Sequence, residues 1–285
     1  MRKHWKVVVL IFVIVMILFM VIIKRNSAIS FGEIIENEYY AISVLGVNKI
    51  DDLEEFAYGG DIYSADVVVY NLGNSVRGFN SINTFYVRDN LMNLYSSDES
   101  IPVYHTLDSA IEPGGKIRGE VMFRVVKDAE LKKIQVQLNE DSDAYYYSLD
   151  SELKKNHQNY ITLNYGSDNY KIGEVIETDL FNFKVNEFNE VIENDFRMIS
   201  VDLTMKNNSS NDTEYDPFWL LTLKDEAGRL YHQDVDFQLD TSIQLQSGET
   251  EDVTVNYRVP VTTSEFKLNF EPKMNKNELY IIDLK

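Results

Sequence analysis

The chain has 285 residues, of which 44% are hydrophobic and 26% are charged, and this composition is typical of a globular protein of about two domains. It contains no cysteine, which excludes a disulfide scaffold, a thiolate metal site, a cysteine nucleophile and a lipid-modified cysteine. The net charge of −19 argues against nucleic-acid binding, because phosphate recognition requires a basic surface.

The first predicted element is a transmembrane helix over residues 7–23, a run without any polar or charged side chain. At 1.5 Å per residue this run is about 26 Å long, close to the ~30 Å hydrocarbon thickness of a bilayer. Three basic residues precede the run and two follow it, which predicts a cytoplasmic N-terminus. Residues 1–25 are therefore interpreted as a cytoplasmic stub and a single-pass anchor.

A cleaved signal peptide is the alternative for this segment. Signal peptides usually have an apolar core of about 7–15 residues that ends in a small-x-small site. Here the run is longer, and Lys24 and Arg25 close it. The remainder of the chain carries all 46 acidic residues, and we expect it to be extracytoplasmic.

The remainder of the chain is an internal repeat. Residues 31–36 return as residues 172–177, each with a Gly-Glu pair, and residues 62–71 align with residues 198–207. In residues 62–71 and 198–207, apolar and polar side chains alternate in the same phase, which predicts a half-buried strand in both copies. The predicted buried faces are Tyr63, Ala65, Val67 and Val69 in the first copy and Ile199, Val201, Leu203 and Met205 in the second.

Each copy continues with a hairpin signal, an apolar strand that ends in an aspartate and a turn before Leu-Tyr. The second copy has Gly228 in this turn, whereas the first copy has Leu91-Met92 and no glycine. About seven short strands per copy, and no long amphipathic helix, predict two tandem immunoglobulin-like antiparallel β-sandwiches. The predicted domains are residues 31–140 and 168–285, which the polar linker 141–167 joins and which we expect to fold independently. The three tyrosines at residues 145–147 either dock the linker on a domain or add an edge strand.

These motifs resemble a known family of domains. The Gly-Glu strand, the long alternating strand that ends in Asn71 or Asn207, the aspartate turn before Leu-Tyr, and Pro/Ser-Gly before a last strand ending in Arg-Val are similar to the immunoprotective-antigen-like Ig-fold domains of Gram-positive bacteria. That family is a domain of unknown function that often follows a lipoprotein signal or a membrane anchor. The resemblance covers residues 31–140 and 171–272 and implies an extracellular location, but it carries over no active-site residue.

The sequence contains no nucleophile elbow, phosphate loop or zinc-protease motif. Its four histidines do not pair at metal-ligand spacing and are interpreted as ordinary surface or linker residues: His4, His105, His157 and His232. The acidic groups considered as calcium ligands lack a spaced calcium loop and are interpreted as solvated: Asp51, Asp52, Glu54 and Glu55, and Asp141 with Asp143.

Two aspartate pairs recur between the copies, Asp66 with Asp202 and Asp89 with Asp225, and are interpreted as turn or strand-edge chemistry. Phe218-Trp219 is interpreted as core or inter-domain packing, with a binding patch as the alternative. No deep pocket is expected between the packed sheets of a sandwich. We therefore predict no catalytic, cofactor-binding or metal-binding residue, and no cofactor.

The function that follows is a membrane-anchored extracytoplasmic binding or interaction protein of the bacterial cell envelope, and not an enzyme. Its expected partners are the membrane and another envelope protein, and not nucleic acid. Two alternatives remain open: an accessory subunit of a membrane complex, and an envelope hydrolase with an atypical carboxylate site.

Overall fold

The computed structural model describes residues 28–51, 53–101, 103, 105–138, 144–150, 169–193, 196–234, 242–272 and 278–284. The predicted anchor, much of the predicted linker, His4, His157, Asp52, Asp141 and Asp143 lie outside these residues. Within the described part of the chain, no helix is long and apolar enough to cross a membrane.

The first copy is a two-sheet β-sandwich. Its elements are β1 (Ile34–Glu36), β2 (Tyr40–Ile50), α1 (Glu54–Ala57), β3 (Asp61–Asn71), β4 (Arg77–Gly78), β5 (Phe85–Asp89), β6 (Leu94–Ser96), β7 (Ala110–Ile111), β8 (Lys116–Val125), β9 (Leu131–Val136) and β10 (Tyr145–Ser148). One sheet has the order β1-β2-β3-β8, the other has the order β10-β9-β5-β6, and β4 pairs with β7. All the pairings between these strands are antiparallel, and side chains of both sheets form one apolar core. Strand β10 includes the tyrosines 145–147, so these residues add an edge strand to the first copy.

The second copy repeats this topology strand for strand. Its elements are β11 (Tyr170–Lys171), β12 (Val175–Glu177), β13 (Phe181–Glu193), β14 (Phe196–Asn207), β15 (Thr213–Tyr215), α2 (Pro217–Leu220), β16 (Leu221–Lys224), β17 (Leu230–Tyr231), β18 (Ile243–Leu245), β19 (Thr250–Pro260), β20 (Lys267–Phe270) and β21 (Tyr280–Asp283). The sheets have the orders β12-β13-β14-β19 and β11-β21-β20-β16-β17, and β15 pairs with β18. Strand β11 runs parallel to β21, and in the first copy the equivalent parallel bridge joins Ile29 to Tyr147. The all-β prediction is thus confirmed.

The local backbone also repeats. Gly32 and Gly173 have φ of 77° and 90°, in the left-handed region that favours glycine. Their N–H groups donate to the carbonyls of Val44 (2.7 Å) and Val185 (2.8 Å), and the register of the long hairpin shifts directly after each valine. The recurring Gly-Glu pair therefore marks the same turn and the same β-bulge in both copies.

The long strands β3 and β14 differ in the burial of their outer faces. In β14, the face predicted to be buried is at most 1% exposed, and the opposite face at Ser200, Asp202 and Thr204 is half-buried, as predicted. In β3, the predicted face is also buried at residues 65, 67 and 69, but the prediction of a half-buried strand is wrong. Its outer face is covered as well, because α1 folds back against it and places Ala57 beside Ile62 and Met122. A second outer layer is formed by Ala41, Leu45, Val68 and Tyr70.

Candidate functional site

The two copies are joined through the outer face of strand β16. Lys224 Nζ lies 2.6 Å and 2.8 Å from the two carboxylate oxygens of Glu112, and both side chains are largely buried. Loss of one partner of such a pair leaves an uncompensated buried charge, which usually costs about 3–5 kcal/mol. This ion pair therefore fixes one copy against the other.

Neighbouring contacts extend this junction. The buried carboxylate of Glu271 accepts hydrogen bonds from Ser109 Oγ (2.6 Å) and from the Ala110 N–H (3.3 Å). The Arg118 N–H donates to the carbonyl of Gly228 at 2.8 Å. Leu230, in strand β17 of the second copy, is fully buried within the core of the first copy. The junction thus combines apolar burial with satisfied polar groups.

Beside the junction lies a partly open cleft of about 1060 Å³. The first copy contributes residues 80–82, 97–99, 101, 103, 105, 106, 108, 109 and 120–122 to the lining. The second copy contributes residues 196, 218, 220, 222, 231–234, 258, 260 and 271. Three partly exposed apolar side chains lie among the lining residues, Ile82, Val103 and Phe196. The expectation of no deep pocket concerned the space between two packed sheets, whereas this cleft lies between two sandwiches.

Two of the four histidines line this cleft. His105 Nδ1 lies 3.2 Å from the Leu230 carbonyl, and His232 Nδ1 lies 2.8 Å from the Phe218 carbonyl. A carbonyl oxygen can only accept, so each Nδ1 carries the proton and each Nε2 bears the lone pair. Burial lowers the pKa of both imidazoles, which keeps them neutral near pH 7. The His105 ring packs edge-on against Tyr231 at 4.7 Å between centroids, and the His232 ring stacks on Phe218 at 5.1 Å.

The cleft is acidic. Six carboxylates line it, namely Asp98, Glu99, Asp108, Glu120, Asp234 and Glu271. Arg258 is the one basic side chain among the described lining residues, and it lies 3.4 Å from Asp234. Within the described ranges, no group of three or more acidic or imidazole side chains is arranged to hold a metal ion.

The recurring aspartates lie outside the cleft. Asp89 accepts hydrogen bonds from the N–H of Asn93 (2.8 Å) and from the Tyr95 hydroxyl (3.1 Å), and Asp225 accepts equivalent bonds within its own turn. Burial acts to raise the pKa of Asp89, but the hydrogen bonds from Asn93, Tyr95 and Leu91 outweigh burial and lower that pKa. The structure therefore gives Asp89 and Asp225 the turn role that was inferred for them.

The other pair lies on strand faces. Asp66 forms an ion pair with Arg118 on the adjacent strand, and Asp202 accepts a hydrogen bond from Thr254 Oγ1. Phe218 is buried, as expected for a packing residue, and it also lines the cleft.

A recurring asparagine has a larger structural role than its sequence signal suggests. Asn71 Nδ2 donates to the carbonyls of Ser75 (2.8 Å) and Ile111 (3.0 Å), and its Oδ1 accepts from the Gly73 N–H (2.9 Å). Asn207 repeats this network in the second copy, and both side chains are fully buried. Asn71 therefore connects the end of β3 to β7, and Asn207 connects the end of β14 to β18.

One protein family matches the chain in sequence. The family described as "Domain of unknown function (DUF4352)" matches residues 29–146 and again residues 170–279. A search of curated proteins found no match.

Several solved structures resemble part of the chain. The yjhA protein of Bacillus subtilis is 19% identical, with 41% of this chain and 99% of that chain covered at a TM-score of 0.32. The secreted protein MPT63 of Mycobacterium tuberculosis is 13% identical, with 43% and 98% covered at a TM-score of 0.36. A β-sandwich protein of Clostridium difficile 630 is 16% identical, with 42% and 97% covered at a TM-score of 0.31.

The two family matches extend over most of the chain, and each coincides with one of the two β-sandwiches, which share one strand order apart from the additional β11. The protein belongs to the DUF4352 family, with one copy of the domain in each half of the chain.

Proposed function

We propose that the protein is a membrane-anchored binding protein of the bacterial cell envelope, whose ligand occupies the cleft between its two extracytoplasmic sandwiches. The observation that carries this proposal is the cleft itself, which both copies build and which has about 1060 Å³ of space. Ligand sites typically have about 300–1,000 Å³, are mostly apolar with a few convergent polar groups, and occur preferentially at domain interfaces. The cleft lies between two domains, its volume is close to the upper end of this range, and it combines apolar and polar side chains.

The proposed location rests on the sequence. The apolar run of residues 7–23 has the length of a membrane span, and the basic residues at its two ends favour an inward N-terminus. The part of the chain that follows this run carries all of its acidic residues.

The location can be tested with a single cysteine, because the natural chain has none. Leu91 lies in the β5–β6 turn with 77% of its side chain exposed, so Leu91→Cys supplies one accessible thiol. We expect a membrane-impermeant maleimide to label this variant in intact cells. Labelling that requires cell lysis would contradict the extracytoplasmic location.

The binding site can be tested with a second cysteine. Val103→Cys, in the cleft, is coupled to a photoactivatable benzophenone, and Leu91→Cys serves as the control outside the cleft. We expect irradiation of intact envelopes to give an adduct from position 103 that position 91 does not give. Identical adducts from both positions, or none from position 103, would contradict a ligand site in the cleft.

The hydrolase alternative predicts turnover. The purified full-length protein is assayed on peptidoglycan, esters and peptides, and we expect no turnover. Turnover that Glu120→Gln abolishes in a folded variant would replace the binding proposal.

A further inference from the structure

We infer that the ligand of the cleft is a basic peptide segment of a partner protein that carries an apolar side chain between its cationic residues. This inference rests on the proposed function and adds the chemical class of the ligand. It depends on the charge, the hydrogen-bonding groups and the apolar surface of the cleft.

Charge is the first argument. Six carboxylates line the cleft, of which Asp98 pairs with Arg124 and Asp234 pairs with Arg258, so the carboxylates outnumber the arginines that pair with them. The histidines beside them are neutral near pH 7 because burial opposes their protonation. A cleft lined by one sign of charge concentrates ligands of the opposite sign. The whole chain, at −19, adds to the attraction for a cation.

Hydrogen bonding is the second argument. Carboxylates only accept, and the imidazole of His105 presents the lone pair of Nε2 because its Nδ1–H is committed to the Leu230 carbonyl. A ligand for such a site must donate, and lysine and arginine side chains carry donors without acceptors. Thr222 adds a further group, since it lines the cleft, is 3% exposed, and has a hydroxyl without a hydrogen-bond partner among the described residues. A peptide backbone offers both a donor and an acceptor to that hydroxyl.

Apolar surface is the third argument, and it separates a peptide from a bare cation. Phe218 and Leu220 line one wall, and Phe196 is 45% exposed on the same side of the cleft. Ile82 and Val103 are the partly exposed apolar side chains on the opposite wall. The described residues form no group arranged to hold a metal ion. An inorganic cation would also leave this apolar surface uncovered.

The test uses the full chain in phosphatidylcholine nanodiscs, whose neutral lipid does not attract cationic peptides. Fluorescence anisotropy measures the binding of the labelled pentapeptide Lys-Lys-Phe-Lys-Lys. The comparison peptides are Glu-Glu-Phe-Glu-Glu, which reverses the charge, and Lys-Lys-Ser-Lys-Lys, which removes the apolar side chain. We expect the first peptide to bind, the second not to bind, and the third to bind roughly tenfold more weakly.

Two variants localise the binding to the cleft. Combined Glu99→Gln and Glu120→Gln, and separately Phe196→Ser, should each weaken binding by roughly tenfold. The matched controls are Glu214→Gln with Glu249→Gln, which are exposed carboxylates outside the cleft, and Val191→Ser, which is exposed on the same hairpin as Phe196. The controls should leave the affinity within about twofold. Circular dichroism verifies the fold of each variant.

The outcomes separate the two proposals. Equal binding of the acidic peptide, or an affinity that neither cleft variant changes, overturns the basic-peptide inference. Absence of peptide binding together with a specific adduct at position 103 rejects the ligand class and retains the cleft as the site. Absence of both rejects the proposed function as well.

Discussion

The turn between β5 and β6 holds the backbone of Met92 in a left-handed conformation. Its φ is 70°, and its equivalent in the second copy is Gly228, with φ of 89°. A left-handed conformation costs an L-residue about 1–2 kcal/mol, and the 70% exposed side chain gains little packing to offset this cost. We expect Met92→Gly to raise the free energy of unfolding, measured by urea denaturation, by roughly 0.5–1 kcal/mol. This value is the relieved strain minus the entropy cost of ordering a glycine. A lower free energy would contradict the assigned strain.

Gly228 is the converse case. A Cβ there would lie 3.1 Å from the Lys116 carbonyl oxygen of the first copy, in addition to adopting an unfavourable φ. We expect Gly228→Ala to lower the free energy of unfolding by roughly 1–3 kcal/mol. The measurement is again urea denaturation, with Ala227→Gly in the same turn as the control. A smaller loss of unfolding free energy for Gly228→Ala than for Ala227→Gly would contradict the expectation.

The buried side chain of Asn207 donates a hydrogen bond to the Leu245 carbonyl at 3.0 Å. Asn207→Ala removes the donor to the Leu245 carbonyl, and an unsatisfied buried group costs about 1–3 kcal/mol. The Asn211 carbonyl keeps the hydroxyls of Ser209 and Thr213 as donors. We expect a loss of that order, measured by thermal or urea unfolding. Asn186→Ala is the control, because Asn186 makes an exposed hydrogen bond, and it should change stability by less than about 0.5 kcal/mol.

The lowered pKa of Asp89 predicts that the stability of the protein depends on pH. Its pKa is lowered in the folded protein, so its stabilising contribution is present above the unfolded-state pKa of about 3.9 and is lost as the pH falls through the folded-state pKa. We expect the stability difference between the wild type and Asp89→Asn to be largest near neutral pH and to shrink toward about pH 2. A difference that is constant over this range would show that the carboxylate charge has no role.

At the scale of the element, the long strand β14 provides the clearest test. Val201 is fully buried, whereas Ser200 is half-buried on the opposite face, between Asn189 and Asn256 on the adjacent strands. Val201→Asp should cost several kcal/mol, comparable with the stability of a whole domain, because an unpaired charge enters the apolar core. Ser200→Asp should cost roughly 1 kcal/mol or less. Similar losses in circular dichroism unfolding curves would contradict the assignment of faces.

The choice of Ser200 as the control depends on the structure. Thr204 lies on the same outer face, but its Oγ1 donates to the Asp252 carboxylate, so an aspartate at position 204 would add a like-charge pair across the strands.

Strand faces were predictable from sequence because the two-residue period of a strand directly alternates its side chains between the two faces. The same reasoning failed on the outer face of β3. There Ile62 is covered by α1, and alternation within one strand contains no information about a segment that folds back over it.

At the scale of the whole molecule, Leu230 links the stability of the copies. It belongs to the second copy in sequence and to the core of the first copy in space. Although the sequence leads us to expect independent folding, this contact leads us to expect that Leu230→Ala weakens the first copy, by the roughly 2–5 kcal/mol typical of core leucine truncation. Hydrogen exchange should show faster exchange in β5 and β9. Leu223→Ala, in the second copy's own core, is the control, and equal protection of β5 and β9 in both variants would contradict the coupling.

The cleft could not be predicted because it arises from docking rather than from a motif. Lys224 and Glu112, which fix the junction, are 112 residues apart in sequence. His105 and His232 likewise belong to different copies, so no local spacing relates them, and their interpretation as ordinary residues followed from that separation. The fold of each copy was predictable from its strands, whereas the site depends on how two such folds meet.

The parallel bridge at Ile29 has a geometrical consequence for the proposed anchored protein. Ile29 is held by two backbone hydrogen bonds, from its N–H to Tyr146 (2.7 Å) and from Ser148 to its carbonyl (3.1 Å). Ile29 lies six residues after the end of the predicted span at residue 23, and six fully extended residues reach at most about 20–22 Å. In the anchored protein that we propose, a tether of this length would place the first sandwich close to the outer surface of the bilayer.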